Sequence, residues 1–232
     1  MRLVAGLWVF AAGLVLMVRA DLGLSAWDVL HDALHRLTPL TFGQVVIAVS
    51  VVVLVTSIAL GTRPGVGTVA NAVLVGTFTD VMLRSGALHD LASGPLLPRV
   101  GALLAGIGAL ALGTAAYIGA NLGAGPRDAL MLGISRRTRR SAGAARTAIE
   151  ASVLVLGVAL GGSAGVGTVA FVILIGLAID VSFRLFGMQP SRARADAGAV
   201  RRGARAVAAW GRRGQLGAAP SMETSRETGA RV

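Results

Sequence analysis

The stretch Gly65-Val66-Gly67-Thr68-Val69-Ala70 recurs letter for letter as Gly165-Val166-Gly167-Thr168-Val169-Ala170, one hundred residues later. The same offset carries a gapless match outward in both directions. Leu3, Gly6, Gly13, Leu22, Gly23 and Asp28 meet Leu103, Gly106, Gly113, Leu122, Gly123 and Asp128. Further on, Gly43, Val53-Leu54-Val55, Gly76, Asp80 and Arg84 meet Gly143, Val153-Leu154-Val155, Gly176, Asp180 and Arg184. Shared Gly, Ala, Val and Leu content could mimic repetition. It does not place two pairs of aspartates in register, so the chain reads as a duplicated unit.

The composition says where that unit lives. Of 232 residues, 54% are hydrophobic, and mean hydropathy is +0.73. That excess of apolar residues points to membrane spans. Each copy carries three long apolar runs, at 3–18, 43–60 and 65–83, then at 101–118, 143–161 and 165–187. Each approaches the ~17–25 helical residues that cross a bilayer. The first run, with Arg2 before it and Val18-Arg19-Ala20 after it, resembles a signal peptide. Its match to residues 103–118 argues for a span instead. Shorter, more polar segments, 25–37 and 125–135, lie between the first two runs of each copy. The expected fold is therefore an all-α polytopic membrane protein. It has six transmembrane helices in two three-helix repeats (about 1–87 and 101–187), each with a short non-spanning helix.

Three spans per copy is an odd number, so the second copy enters the membrane inverted. Charge agrees. Net charge is +11, and every basic residue is Arg. The loop after the first run holds Arg19 and Arg36 against Asp21, Asp28 and Asp32, whereas its counterpart holds Arg127, Arg136, Arg137, Arg139, Arg140 and Arg146. The positive-inside rule puts the second loop inside and the first outside, with both termini cytoplasmic. Arg84 and Arg99, flanking an outer loop, run against this pattern. Residues 188–232 form an Arg-rich tail, read as largely disordered. Arg201, Arg202, Arg205, Arg212 and Arg213 there suit anionic lipid headgroups. No aromatic platform or fold motif supports nucleic-acid binding.

Several residues are candidates for function. Ser25 can cap a helix with Asp28 at its third position, and Gly125 with Pro126 and Asp128 is a second way to start one. The matched aspartates are then either helix-start residues or the lining of a pathway formed by short helices dipping into the membrane. Asp28, His31, Asp32 and His35 share a face, which suits a solvated surface, proton uptake or a metal. The second copy has Asp128, Met131, Leu132 and Ser135 there, so the duplicated core needs no metal. Glu150 falls inside an apolar run, with Arg146 one turn before it. Asn71, whose counterpart is Phe171, is a further polar group within a span. Asp80 and Arg84, and likewise Asp180 and Arg184, read as interfacial anchors. In the doubled motif, Gly65, Gly67, Thr68, Gly165, Gly167 and Thr168 read as helix starts that allow close packing. Anion binding at the helix start is the alternative. The chain has no Lys, so it is no phosphate loop of the Gly-Lys-Ser/Thr type.

Ala20-x-Leu22-Gly23-x-Ser25-x-Trp27-Asp28, Ala120-Asn121-Leu122-Gly123-x-Gly125-Pro126-Arg127-Asp128, Ile149-Glu150 and Gly161-Gly162-x-x-Gly165-Val166-Gly167-Thr168 together resemble the YczE/YyaS/YitT family of bacterial integral membrane proteins. The likeness covers residues 1–187 and leaves the tail outside. It implies a multi-pass protein of the bacterial plasma membrane, and no substrate, cofactor or catalytic residue.

On these grounds the expected function is a small-solute transporter, with Asp28, Asn121, Arg127, Asp128 and Glu150 along the substrate pathway. The alternative is a non-transporting membrane regulator or scaffold acting on a partner protein through its Arg-rich segments. No nucleophile–base set is kept across both copies, so the chain is not expected to be an enzyme, and no cofactor or bound metal is expected.

Overall fold

The computed structural model describes residues 1–123 and 125–187. The tail and its arginines Arg201, Arg202, Arg205, Arg212 and Arg213 lie outside the described residues. Within them the protein is all-helical: α1 (Arg2–Ala20), α2 (Ala26–Leu37), α3 (Phe42–Ala59), α4 (Val66–Arg84), α5 (Leu96–Ile118), α6 (Pro126–Thr138), α7 (Ala142–Ala159) and α8 (Val166–Leu185). A short 3-10 turn, His89–Ser93, precedes α5. Helices α1, α3, α4, α5, α7 and α8 have 18 to 23 residues and are apolar enough to cross a membrane. Their outer faces carry exposed Val52, Val55, Val172, Ile173 and Leu177, the surface that lipid would cover. Helices α2 and α6 are the two shorter elements, 12 and 13 residues long.

Helix α5 starts at Leu96, well before the expected residue 101. Pro95 opens it, and Arg99 in its first turn is tied to the end of α1. Its Nε donates to the Ala20 carbonyl at 2.9 Å and its Nη2 to the Asp21 carbonyl at 2.7 Å. At the same end Arg19 Nη2 donates to the Leu83 carbonyl of α4 at 2.8 Å. These arginines satisfy carbonyls that a helix end leaves open. The bond from Arg19 also shows that α1 and α4 end side by side.

The centre of the molecule is the crossing of α1 and α5. Gly6 lies against Ala116 and Tyr117, Gly13 against Gly106 and Leu110, and Gly113 against Gly6 and Phe10. Low numbers on α1 meet high numbers on α5, so the two counterpart helices run antiparallel. Small residues at the same sites in both copies let the backbones touch, which is how helices associate where water gives no hydrophobic drive. Leu7, Leu14 and Met17 fill the flanks, at 0, 1 and 1% exposure. Helix α4 packs on α1 and α8 on α5, while α2 packs on α7 and α6 on α3. The short helices thus bridge to the opposite copy.

The doubled motif joins the copies in the same reciprocal way. The Gly67 amide donates to the Leu122 carbonyl at 2.7 Å, and the Gly167 amide to the Leu22 carbonyl at 2.7 Å. Gly23 and Gly123 both take φ +122°, and a Cβ on Gly23 would stand 2.7 Å from the Thr168 nitrogen. Only glycine fits that backbone at that approach. Each helix start is thus filled by the Leu-Gly turn of the other copy, and Thr168 Oγ accepts from the Leu24 amide at 3.1 Å.

Gly13→Val should lower the melting temperature of the purified protein, equivalent to about 1–3 kcal/mol of overpacking. Gly101→Ala, beside which the space is open, should change it little.

Candidate functional site

A cavity of about 250 Å³ opens where the two copies meet. Many of its walls are repeat counterparts: Trp27 and Arg127, Asp28 and Asp128, Ser50 and Glu150. The counterparts meet at the middle, where the Arg127 guanidinium stacks 5.0 Å from the centroid of the Trp27 ring. Of the five sequence-designated pathway residues, Asp28, Arg127, Asp128 and Glu150 line this space. Asn121 does not line it. Asn121 is exposed in the turn after α5 with φ 55°, matching Asp21 after α1 at φ 48°. Its role is to make a left-handed turn, which Asn and Asp tolerate best.

The paired aspartates start equivalent helices but end in different surroundings. Ser25 caps α2, its Oγ accepting from the Asp28 amide at 3.3 Å and donating to Asp28 Oδ2 at 2.5 Å. His31 Nδ1 lies 3.1 Å from Asp28 Oδ1, and Arg127 Nη2 lies 3.8 Å from the same oxygen. Burial opposes a charged Asp28, yet the His31 bond and the Arg127 charge outweigh it and hold the carboxyl below its ordinary range. In α6 the capping residue is Gly125, which has no hydroxyl. Asp128 therefore lacks that local partner. It accepts from Tyr117 Oη at 3.3 Å, and no arginine nitrogen among the described residues comes within ion-pair distance. Burial pushes its carboxyl up, and Arg146, Tyr117 and Arg127 only partly offset that.

Helix α7 brings the last charges. Arg146 Nε donates to Glu150 Oε1 at 2.9 Å, with both side chains partly open. Tyr117, Asn71 and Phe171 complete the polar and aromatic lining. Tyr117 is the residue that sequence reasoning missed. Its signal was available, since it is the sole Tyr of the chain and lies near the end of an apolar run.

The α2 face of Asp28, His31, Asp32 and His35 is solvated only at its His35 end. His31 is fully buried, and its ring packs edge-on against Phe42. Asp32 Oδ2 accepts from the Ser163 amide at 2.8 Å, and Arg36 Nη2 donates to Ser163 Oγ at 2.7 Å, so this end of the face docks the α7–α8 turn. Among the described residues no three His, Asp or Glu side chains gather into a metal-binding group.

Burial lowers the His31 pKa from its ordinary value of 6.5. A carboxylate can only accept, so Nδ1 carries a proton toward Asp28, while the buried Nε2 has no hydrogen-bond partner among the described residues. The unfolded chain binds the proton that the folded site refuses. Stability should then be fully present above about pH 6.5 and fall as pH drops through that value. His31→Gln should flatten this slope in melting curves taken across the range.

Residues 1–184 match a family of unknown function, DUF6198. The chain is 33% identical over 181 residues to the uncharacterized membrane protein YczE of Bacillus subtilis (strain 168), covering 77% of this chain and 82% of that one. An uncharacterized protein of Haemophilus influenzae is 33% identical over 175 residues, covering 75% and 78%. The uncharacterized protein YyaS of Bacillus subtilis is 29% identical over 181 residues, covering 76% and 88%. No solved structure matches. The chain is related to YczE and YyaS, and it is a multi-pass membrane protein that belongs to the DUF6198 family.

Proposed function

We propose that the protein is a small-solute transporter of the bacterial plasma membrane, built as an inverted repeat with both termini in the cytoplasm. One observation carries the reading: a closing contact is made in the first copy and left open at the same positions of the second. In the first copy Gly43 and Gly76 bring α3 and α4 backbone to backbone. Asp80 locks that end, its Oδ1 accepting from the Gly43 amide at 2.7 Å and its Oδ2 from Thr41 Oγ. The second copy keeps the chemistry as Ser141, Gly143, Gly176 and Asp180. Yet open space lies beside Gly143 and Gly176 among the described residues, and α7 and α8 have no such packing.

The cavity is walled by Arg146 and Glu150 of α7 and by Phe171 and Ile175 of α8, the two helices that this gap separates. Two equivalent gates, one shut and one open around a shared central site, are what alternating access by an inverted repeat requires. The antiparallel α1 and α5 support the inversion. The positive-inside rule places the open gate on the cytoplasmic side. Of the two arginines that run against the charge pattern, Arg99 is engaged on the Ala20 and Asp21 carbonyls and Arg84 lies 3.9 Å from Asp80. Asp80, read from sequence as an interfacial anchor, also closes the outer gate in this reading.

The chain has no cysteine, so cross-linking tests the gate without background. Ile47 and Gly76 touch in the closed pair, and their counterparts are Thr147 and Gly176. The double variant Thr147→Cys, Gly176→Cys should form a reversible disulfide in oxidised membranes as the inner gate visits its closed state. Failure to cross-link under any condition would sink the alternation. Reporter fusions after Thr38 and Thr138 should fall on opposite sides of the membrane, and a shared side would remove the inverted repeat.

A further inference from the structure

Three carboxylates and two guanidinium groups line the cavity. Arg127 is engaged with Asp28 at 3.8 Å and Arg146 with Glu150 at 2.9 Å. Asp128 is left with a neutral partner, the Tyr117 hydroxyl at 3.3 Å. The site therefore holds one negative charge more than its own cations match. Around that charge the walls are aromatic and aliphatic, with Phe10, Trp27, Tyr117, Phe171 and Ile175. The Trp27 ring already holds a guanidinium 5.0 Å from its centroid, so its face attracts cations.

We propose that this cavity binds a small monovalent organic cation, an amine or quaternary ammonium on an apolar body, with Asp128 as its counter-ion. The proposal rests on the transporter reading and names the class of solute carried. A divalent metal ion would need several convergent oxygens, and one unmatched carboxylate does not supply them. An organic anion would have to take an arginine from its acid, leaving a carboxylate unpaired in a poorly hydrated space. A monocation instead neutralises the surplus and covers the apolar walls. At about 250 Å³ the space is near the lower end for small-molecule sites, which limits the cation to a compact body.

The carboxylate can hold the cation or a proton, but not both. Tyr117 faces Asp128 from α5, Arg127 from α6, Arg146 and Glu150 from α7, and Asp28 lies across the site on α2. Burial raises the Asp128 pKa from its ordinary value, which makes proton and cation competitors for it. Where acid pH has protonated Asp128, cation entry displaces that proton, so exchange of one for the other follows from a single side chain.

The test is isothermal titration calorimetry of the purified full-length protein with benzyltrimethylammonium, benzoate and benzyl alcohol. The ammonium should bind at least about 10-fold more tightly than either other probe, and more weakly as pH falls from about 8 to about 5. Asp128→Asn should lose about 10-fold or more, and Asp128→Glu should retain binding; melting curves verify that both fold. Tighter binding of benzoate, or an unchanged affinity in Asp128→Asn, would overturn the proposal. The cysteine pair at the inner gate separates the two readings. Gate cross-linking without ammonium binding leaves a transporter and refutes this solute class. Asp128-dependent binding without cross-linking keeps the site and refutes alternation.

Discussion

Two helices can bring their backbones into contact only where neither carries a side chain between them, and this protein meets that condition at the α1–α5 crossing. Gly6 and Gly13 on one helix face Gly113 and Gly106 on the other. Because the repeat supplies both sets, the contact is self-complementary, and its two halves are the same bond seen from opposite ends. That crossing carries the turns after α1 and α5 to the starts of α8 and α4. There the Leu22 and Leu122 carbonyls accept from Gly167 and Gly67. In a bilayer these amides would otherwise face a medium with no partner for them. The doubled motif is therefore a joint between the copies, and its amides are occupied by protein rather than offered to an anion.

Where the copies meet, matched positions carry different side chains. Trp27, Ser50 and Asn71 of the first copy stand opposite Arg127, Glu150 and Phe171 of the second. One copy supplies apolar and neutral groups, the other supplies most of the charge. The same divergence at a cap separates the aspartates, since Ser25 occupies Asp28 and Gly125 has no hydroxyl to occupy Asp128. A substitution one turn from the carboxylate thus decides whether it is a structural group or an accessible charge. The helix pairs α3–α4 and α7–α8 follow the same logic at larger scale, with one set of small residues in contact and its duplicate apart.

Much of this was legible in the chain. Apolar run length defined the six long helices, and the Ser25 and Gly125-Pro126 signals located α2 and α6. Expectations failed where a distant partner mattered. Arg99 extended α5 by finding carbonyls at the end of α1, far away in sequence. His31 read as a polar surface group, and packing of Phe42 against it buried the ring. Asn121 read as a pathway residue from its place in a motif, while its backbone angle shows a turn former. Tyr117 stood out as the sole Tyr, near the end of an apolar run, but only the fold puts its hydroxyl beside Asp128.

The sequence by itself determined the duplication, the helical class, the membrane-length segments and the helix caps. Those features depend on periodicity, composition and contacts a few residues apart. The tertiary structure alone decided which duplicated residues meet, which carboxylate lacks a cation and which of two matched helix pairs is closed. Those depend on distances between residues about a hundred positions apart. Two copies with nearly the same local code can occupy different states, because the energy separating them lies in the packing between helices.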